Sequence, residues 1–190
     1  MSKPKTDRRV RYTRQVLKES LMELMQDKPI DKISIKAICE LADINRSTFY
    51  THYTDQYELL RQIEEDLLSD INAYLDDYNF TQYEAQSIQI MSRIFEYILE
   101  NSRSCQVLLG ENGDVSLQRQ IMMIVQRQGM REWPVREQAD EKTMEYLFTF
   151  GVYGGIGIVQ RWLQGGMKES PREMAQIVLN VTYQGLSAFA

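Results

Sequence analysis

Apolar residues recur along this chain every three to four positions, which is the spacing of one face of an α-helix. The first stripe of this kind lies in a helix predicted over about residues 7–26 and consists of Leu17, Leu21, Leu24 and Met25. Pro29 cannot continue that helix, because proline has no amide hydrogen to donate to the preceding turn. The pattern therefore predicts a first helix followed by a short loop.

Residues that cap helix ends divide the next stretch into three more helices. Ser34 and Asn45 can each accept a hydrogen bond from a free amide, so they predict a second helix and a short third helix that runs through Tyr53. Asp55 and Glu58 form a capping box, which predicts a long fourth helix. The apolar positions expected to face inward are Ile35, Ile38 and Leu41 in the second helix and Leu60, Ile63, Leu67 and Ile71 in the fourth.

A fifth helix is predicted behind a second capping box, which Thr81 and Glu84 form. Its apolar stripe consists of Ile88, Met91, Phe95 and Ile98. Residues 101–106 and 110–114 are interpreted as loops on either side of a short helical turn.

The last third of the chain again has helical spacing. Helices are predicted over about residues 115–127 and 141–163. Ser170, Pro171 and Glu173 combine an N-cap, a proline at the first helical position and a capping carboxylate, and so begin the last helix. Its apolar set is Met174, Ile177, Val178 and Val181. Since no stretch shows the alternation of a strand, the predicted fold is all-α, with about nine helices.

The composition fits a folded protein. Of the 190 residues, 43% are hydrophobic, which is enough for a packed core and excludes a disordered chain. No apolar run approaches the roughly 20 residues that span a bilayer, and the basic N-terminus lacks the apolar segment of a secretory signal. Cys39 and Cys105 are far apart and are expected to be buried, reduced thiols. We therefore expect a cytoplasmic protein without membrane contact.

Charge is distributed unevenly along the chain. The net charge is -5, yet residues 1–54 hold eleven lysines and arginines against seven acidic residues. The remainder of the chain is strongly acidic. A basic first part favours a nucleic acid as its partner, although ordinary variation in charge along a chain is the alternative interpretation.

Residues 34–53 have the organisation of a helix-turn-helix, with two short helices joined by a tight turn at residues 42–44. Ile38, Ile44 and Phe49 are placed to form a shared core. The other side of the second of these helices offers hydrogen-bonding groups for phosphates and base edges, namely Arg46, Ser47, Thr48 and Tyr50.

The block over residues 42–60, which reads ADINRSTFYTHYTDQYELL, resembles the TetR family of bacterial transcriptional regulators. The resemblance covers about fifty residues closely, and the number of helices extends it more loosely to the whole chain. Residues 154–163, followed by Ser170 and Pro171, are similar to the C-terminal domain of a Firmicutes-type branch. The implied architecture is a DNA-binding domain over residues 1–54 and a helical dimerisation and effector domain over residues 55–190.

The resemblance also implies roles for single residues. Thr48, Tyr50 and His52 are expected to contact the DNA backbone, and Arg46 and Ser47 are expected to face base edges. Ser34 and Lys36 are expected to contact phosphates from the preceding helix. The full DNA-binding set is Ser34, Lys36, Asn45, Arg46, Ser47, Thr48, Tyr50 and His52.

This chain departs from the family pattern at two positions. Asp43 stands in the turn where glycine is usual, and aspartate tolerates the left-handed conformation better than most residues. Gln56 stands where a phosphate-binding lysine is usual. That change predicts a salt dependence of DNA binding that is shallower by about one unit of slope.

The glycines at 151, 154, 155 and 157 predict a dimer surface in the last two helices, because they allow another backbone to approach closely. Tight packing within one subunit is the alternative, and a dinucleotide loop is excluded because no strand precedes these glycines. The predicted interface residues are Gly154, Gly155, Ile158, Trp162, Ile177 and Val181.

An effector pocket is predicted more loosely from the methionines and aromatic residues of the second domain, since adaptable apolar linings suit small hydrophobic ligands. The candidate lining is Met91, Phe95, Met122, Met123, Trp133, Tyr146, Phe150 and Tyr153. Ordinary core or dimer contacts are the alternative interpretation for most of them.

The function predicted from these observations is sequence-specific transcriptional regulation. The expected protein is a homodimeric repressor that binds a palindromic site in double-stranded DNA and is released by a small hydrophobic effector. It is expected to use no metal or other cofactor and to be no enzyme, because it has one histidine and lacks nucleophile-elbow and phosphate-loop motifs. The alternative is a non-DNA-binding relative that acts as a protein-interaction coactivator.

Overall fold

A computed structural model describes residues 5–76, 84–110, 113, 115–129 and 140–186. Within these ranges the secondary structure is helical throughout, as the sequence predicts. The helices are α1 (Lys5–Leu24), α2 (Ile35–Ala42), α3 (Arg46–His52), α4 (Gln56–Asp76), α5 (Glu84–Glu100), α6 (Ser102–Leu108), α7 (Val115–Gly129), α8 (Glu141–Gln164) and α9 (Pro171–Leu186), with a single 3₁₀ turn at Ile30–Lys32.

One local prediction is wrong. Residues 101–106, interpreted from the sequence as a loop, belong largely to α6. Their run of small polar residues resembles a loop, yet Cys105 and Leu108 are buried on one face of the helix. Gln106 Nε2 also donates a hydrogen bond to the carbonyl oxygen of Leu163 on α8, at 3.1 Å. Packing against α8 therefore overrides a weak local preference.

The described chain forms two compact units. The first is drawn from Met1–Leu67 and Glu111–Gly113, and the second from Leu68–Gly110 and Asp114–Ala190. The division falls inside α4 rather than at residue 54. The first half of α4 belongs with the first unit, where the Asp66 carboxylate accepts a hydrogen bond from the Lys18 ammonium of α1.

In the first unit α1 packs on α2, and α2 packs on α3. The core predicted for this region is present, since Ile38 and Phe49 are fully buried. Leu41 was expected to face inward, but 44% of its surface is exposed near the C-terminal end of α2. The core is closed by Leu17, Leu21 and Met22 of α1 and by Met25, which directly follows that helix.

Side-chain caps fix where α2 and α4 begin. Ser34 Oγ accepts a hydrogen bond from the amide of Ala37 at 3.2 Å, which begins α2 as predicted. At α4, Asp55 Oδ1 accepts from the amide of Glu58 at 2.8 Å. The Glu58 carboxylate in turn accepts from the amide of Thr54, one residue further back than in an ideal capping box. The predicted box at Thr81 lies outside the described residues.

The second unit is built around α5 and α8. The most extensive helix contact is between α5 and α9, and α8 contacts α6, α7 and α9. Phe95 and Trp162 join α5 to α8 edge to face, with ring centroids 5.4 Å apart. Trp162 Nε1 donates to the carbonyl oxygen of Glu169 at 3.1 Å, which satisfies the polar group of this buried side chain.

Both cysteines are free and buried, as predicted. Burial raises the pKa of Cys105 to about 12, so its thiol stays protonated and unreactive near neutral pH. None of the described helices combines the length and the apolar character needed to cross a membrane.

The turn between α2 and α3 depends on a left-handed residue. Asp43 has φ 53° and ψ 42°, and its amide donates to the carbonyl oxygens of Cys39 and Glu40. Side chains with a Cβ adopt this conformation at a cost, which aspartate and asparagine bear more easily than others. The expectation for position 43 is thus confirmed.

Substitutions of Asp43 should report this conformation. Asp43→Gly is expected to keep or raise the free energy of unfolding, whereas Asp43→Val is expected to lower it by about 1–2 kcal/mol, because valine is strained at positive φ. Urea denaturation of both variants measures the difference. Equal stability of the two variants would contradict a left-handed turn.

Candidate nucleic-acid interface

The helix α3 presents one buried face and one exposed face. Phe49 is its buried residue and contacts Tyr53 at a ring-centroid distance of 5.8 Å. Tyr50 lies edge to face on Phe49 at 5.7 Å, yet 58% of its surface is exposed. The ring of Tyr50 is therefore held against the core while much of the side chain remains accessible. Arg46 and Ser47 are also exposed.

Two of the predicted DNA-binding residues take part in capping α3. Asn45 Oδ1 accepts hydrogen bonds from the amide of Ser47 at 3.0 Å and from its hydroxyl at 3.1 Å. Thr51 Oγ1 then donates to the carbonyl oxygen of Ser47 at 3.0 Å. These bonds hold the first turn of the helix in a defined conformation before any partner arrives.

A cleft of about 470 Å³ lies between the start of α2, the outer side of α3 and the start of α4. It brings together four of the predicted DNA-binding residues, Ser34, Lys36, Arg46 and Tyr50. The other residues that line the cleft do not belong to the predicted DNA-binding set; they are Asp31, Lys32, Ile33, Ile35 and Gln56. Asn45, Ser47, Thr48 and His52 lie on α3 or its cap and do not line the cleft.

His52 is half-buried at the last turn of α3. Burial lowers its pKa below the usual 6.5, and the positive charge of Arg14 lowers it further. The imidazole is therefore neutral at pH 7 and can donate one hydrogen bond without a net charge.

The predicted effector residues do not share one environment. Phe95 is buried against Trp162, and Met91 is half-buried. Tyr146, Phe150 and Tyr153 lie on the exposed face of α8. Met123 is exposed on α7, whereas Trp133 and the side chain of Met122 lie outside the described residues.

The predicted dimer residues also differ in their exposure. Trp162 is one of the predicted interface residues, but it is only 4% exposed, because its ring is part of the core of the second unit. Ile177 and Val181 are exposed on α9, and Gly155 and Ile158 are half-buried on α8. Around Gly154 and Gly155 an added Cβ would meet no described atom within 4 Å, so packing against the described residues does not require glycine at either position.

The described residues hold no group of three or more histidine, cysteine, aspartate or glutamate side chains that could bind a metal ion. The arrangement of the first unit is suited instead to binding an anionic surface. Lys36 and Arg46 lie on its exposed side, and hydroxyl and amide groups surround them.

Comparison with known proteins decides the family. Residues 19–63 match bacterial regulatory proteins of the tetR family, and residues 86–184 match the transcriptional regulator C-terminal region of the TetR_C_8 type. The second match alone covers more than half of the chain. The chain belongs to the TetR family. The resemblance seen in the sequence is thereby confirmed, and the family consists of transcriptional regulators rather than enzymes.

Among curated relatives, the chain is similar to the uncharacterized HTH-type transcriptional regulator YxbF of Bacillus subtilis strain 168. The two are 31% identical over 61 residues, which cover 32% of this chain and 16% of YxbF. This TetR-family chain thus matches only a small part of that protein's length.

Solved structures share the fold. A TetR transcriptional regulator from Streptococcus agalactiae 2603V is 22% identical with a TM-score of 0.65, covering 93% of this chain and 97% of that one. A tetR-family transcriptional regulator from Streptomyces coelicolor is 16% identical with a TM-score of 0.66, covering 92% of this chain and 83% of that one. The dihydroxyacetone kinase operon activator DhaS is 17% identical with a TM-score of 0.58, covering 93% of this chain and 97% of that one. At these identities the likeness establishes the TetR fold and no more.

The titration of His52 offers a test of the geometry of the first unit, because it is the single histidine of the chain. We expect NMR titration of its ring protons to give a pKa below 6.5, and Arg14→Ala to move that pKa upward by removing a repelling positive charge. Arg9→Ala is the matched control. A wild-type pKa above 6.5 would contradict the arrangement.

The same shift has a consequence for stability. Because the pKa of His52 is lower in the folded state than in the unfolded chain, protonation favours unfolding. This contribution destabilises the protein as the pH falls through the unfolded value near 6.5. His52→Asn should therefore lose less stability than the wild type between pH 7 and pH 5.

Proposed function

We propose that this protein is a transcriptional regulator that binds a palindromic site in double-stranded DNA as a homodimer. The observation that carries the proposal is the construction of α3. Phe49 anchors the helix from within, while Arg46 and Tyr50 are exposed beside the cationic cleft. A helix held in this way can enter the major groove, where arginine can bond in a bidentate manner to guanine.

Phosphate and base contacts fall to different residues in this proposal. Tyr50 and His52 are uncharged donors, and Ser34 and Lys36 lie at the start of α2, so all four suit contacts to the DNA backbone. Arg46, at the first position of α3, is the residue we assign to a base edge. Ser47 is the other candidate, although its hydroxyl already donates to Asn45 in the free protein.

A second subunit is needed because one recognition helix reads only a few base pairs. The α8–α9 face supports this part of the proposal. We define this face by five exposed apolar side chains, which are Tyr146, Phe150, Tyr153, Ile177 and Val181, and by the open glycine Gly154. Phe150 is 73% exposed, and burial of such aromatic side chains is the usual source of interface free energy.

Effector release and the direction of regulation are further parts of the proposal. The sequence predicts repression relieved by a small hydrophobic molecule, whereas the fold relative DhaS is named an operon activator. A reporter gene placed behind the recovered DNA site distinguishes repression from activation. Loss of the DNA-binding signal on addition of hydrophobic metabolites, dyes or drugs tests effector release.

The primary experiment is a fluorescence-anisotropy titration of the full chain against random duplex DNA at two salt concentrations, followed by selection of the tightest binders. We expect a palindromic site and a steep salt dependence. If the protein binds no duplex at low salt, the proposal fails and the coactivator alternative gains support.

Two substitutions in α3 should separate base contacts from backbone contacts. Arg46→Ala is expected to relax preference at one base position by about 1–3 kcal/mol, because a bidentate contact to guanine is lost. Tyr50→Phe is expected to weaken binding to all sequences equally. Arg93→Ala and Tyr74→Phe, which change the same residue types outside the first unit and outside the face proposed for the dimer, are the controls. Wild-type affinity and preference in both α3 variants would refute our assignment of the recognition helix.

A bulky residue at position 154 should test the dimer surface. The described residues leave space for a side chain at this position, and replacing glycine in a helix favours helix formation. Gly154→Leu is therefore expected to preserve the fold of the subunit and to abolish the dimer, as measured by sedimentation equilibrium and circular dichroism. Ser69→Leu, which adds the same side chain to an exposed position on α4, is the control. An intact dimer of Gly154→Leu would place the interface elsewhere.

A further inference from the structure

The 3₁₀ turn Ile30–Lys32 borders the same cleft as α2 and α3. We propose that this turn is an additional DNA-contacting element, in which Lys32 binds a backbone phosphate and Asp31 weakens that contact. The inference rests on the proposed DNA-binding function and adds to it two residues that the sequence pattern did not indicate.

The cleft has an excess of positive charge. Its lining contains three cationic side chains, Lys32, Lys36 and Arg46, and one carboxylate, that of Asp31. Gln56, at the start of α4, contributes an amide but no charge. Three cations around an open cleft attract a phosphate group, and Lys32 supplies one of them from outside the helix-turn-helix.

The backbone of the turn is held firmly below this side chain. The amide of Lys32 donates to the carbonyl oxygen of Pro29 at 3.0 Å, and the amide of Ile33 donates to that of Ile30 at 3.1 Å. The side chain of Ile33 is buried, so it fixes the next position along the chain. Lys32 therefore extends from a fixed point, and little backbone ordering is required when it binds.

The present partner of Lys32 is weakly bound. Its Nζ lies 3.4 Å from Asp31 Oδ2, and these side chains are 71% and 55% exposed. Exposed ion pairs of this kind stabilise a protein very little, so a phosphate can replace the carboxylate as the partner of the Lys32 ammonium. Lys36 is similarly placed, with its Nζ 3.6 Å from Glu40 Oε1.

Asp31 has the opposite effect on DNA. Its carboxylate competes for the Lys32 ammonium and lies on the lining that the phosphate would approach. The Asp31 carboxylate and a phosphate bound at this lining carry like charges and repel each other. Removing the charge of Asp31 should therefore strengthen binding, whereas removing that of Lys32 should weaken it.

The test is an anisotropy titration of full-length variants against one duplex at several salt concentrations. Lys32→Ala is expected to reduce the slope of log K against log salt by about one unit, which corresponds to one phosphate contact. It should leave the preferred sequence unchanged. Asp31→Asn is expected to raise the affinity at every salt concentration.

Lys28→Ala is the matched control, because Lys28 is exposed close to the turn but does not line the cleft. It corrects for the general effect of removing one positive charge. If Lys32→Ala and Lys28→Ala change the slope equally, the inference is overturned while DNA binding itself stands. If the wild type binds no duplex, the proposed function fails first, and the two failures are thus distinguishable.

Discussion

The proposed DNA-facing surface depends on the complete burial of Phe49. Phe49 is the buried residue of α3, and its ring lies beside those of Tyr50 and Tyr53. Truncation of a buried phenylalanine typically costs about 3–5 kcal/mol, a large part of the 5–15 kcal/mol that stabilises a small domain. With this side chain held inside, Arg46 and Ser47 are left on the exposed side of the helix.

An α3 of seven residues is too short to be stable alone, so its orientation comes from its neighbours. Asn45 caps its first turn, and the left-handed Asp43 sets the direction in which the chain leaves α2. These local features and the buried ring together bring Lys36 and Arg46 to one cleft. The two cationic side chains thus meet in this cleft because of how the residues of the turn and of α3 pack.

In the second unit α8 has two faces with different environments. Its buried residues include Met144, Phe148, Val152 and Ile156, which recur every four positions. The opposite face carries exposed aromatic side chains and glycines without close neighbours among the described atoms of the subunit. One helix therefore supplies both part of the core of the second unit and the exposed surface that we propose as the dimer interface. Trp162 of α8 belongs to the core, where its ring contacts that of Phe95 on α5.

The sequence by itself determined the features that depend on neighbouring residues. Helical periodicity, the caps at Ser34 and Asn45, and the turn at Asp43 require contacts over only a few positions, so they could be predicted without a structure. The fold class followed from them, as did the core position of Phe49. The family was recognisable for the same reason, since its motif lies in one continuous block.

Only the tertiary structure decided features that depend on distant residues. The helix α6 is stabilised by contacts with α8, more than fifty residues away, and its own sequence resembles a loop. Trp162 is buried because Phe95, on another helix, covers it, whereas Phe150 on the same α8 stays exposed. Lys32 lines the cleft from the 3₁₀ turn that follows Pro29. Spacing along a sequence reports which face of a helix is apolar, but what covers that face depends on packing between helices.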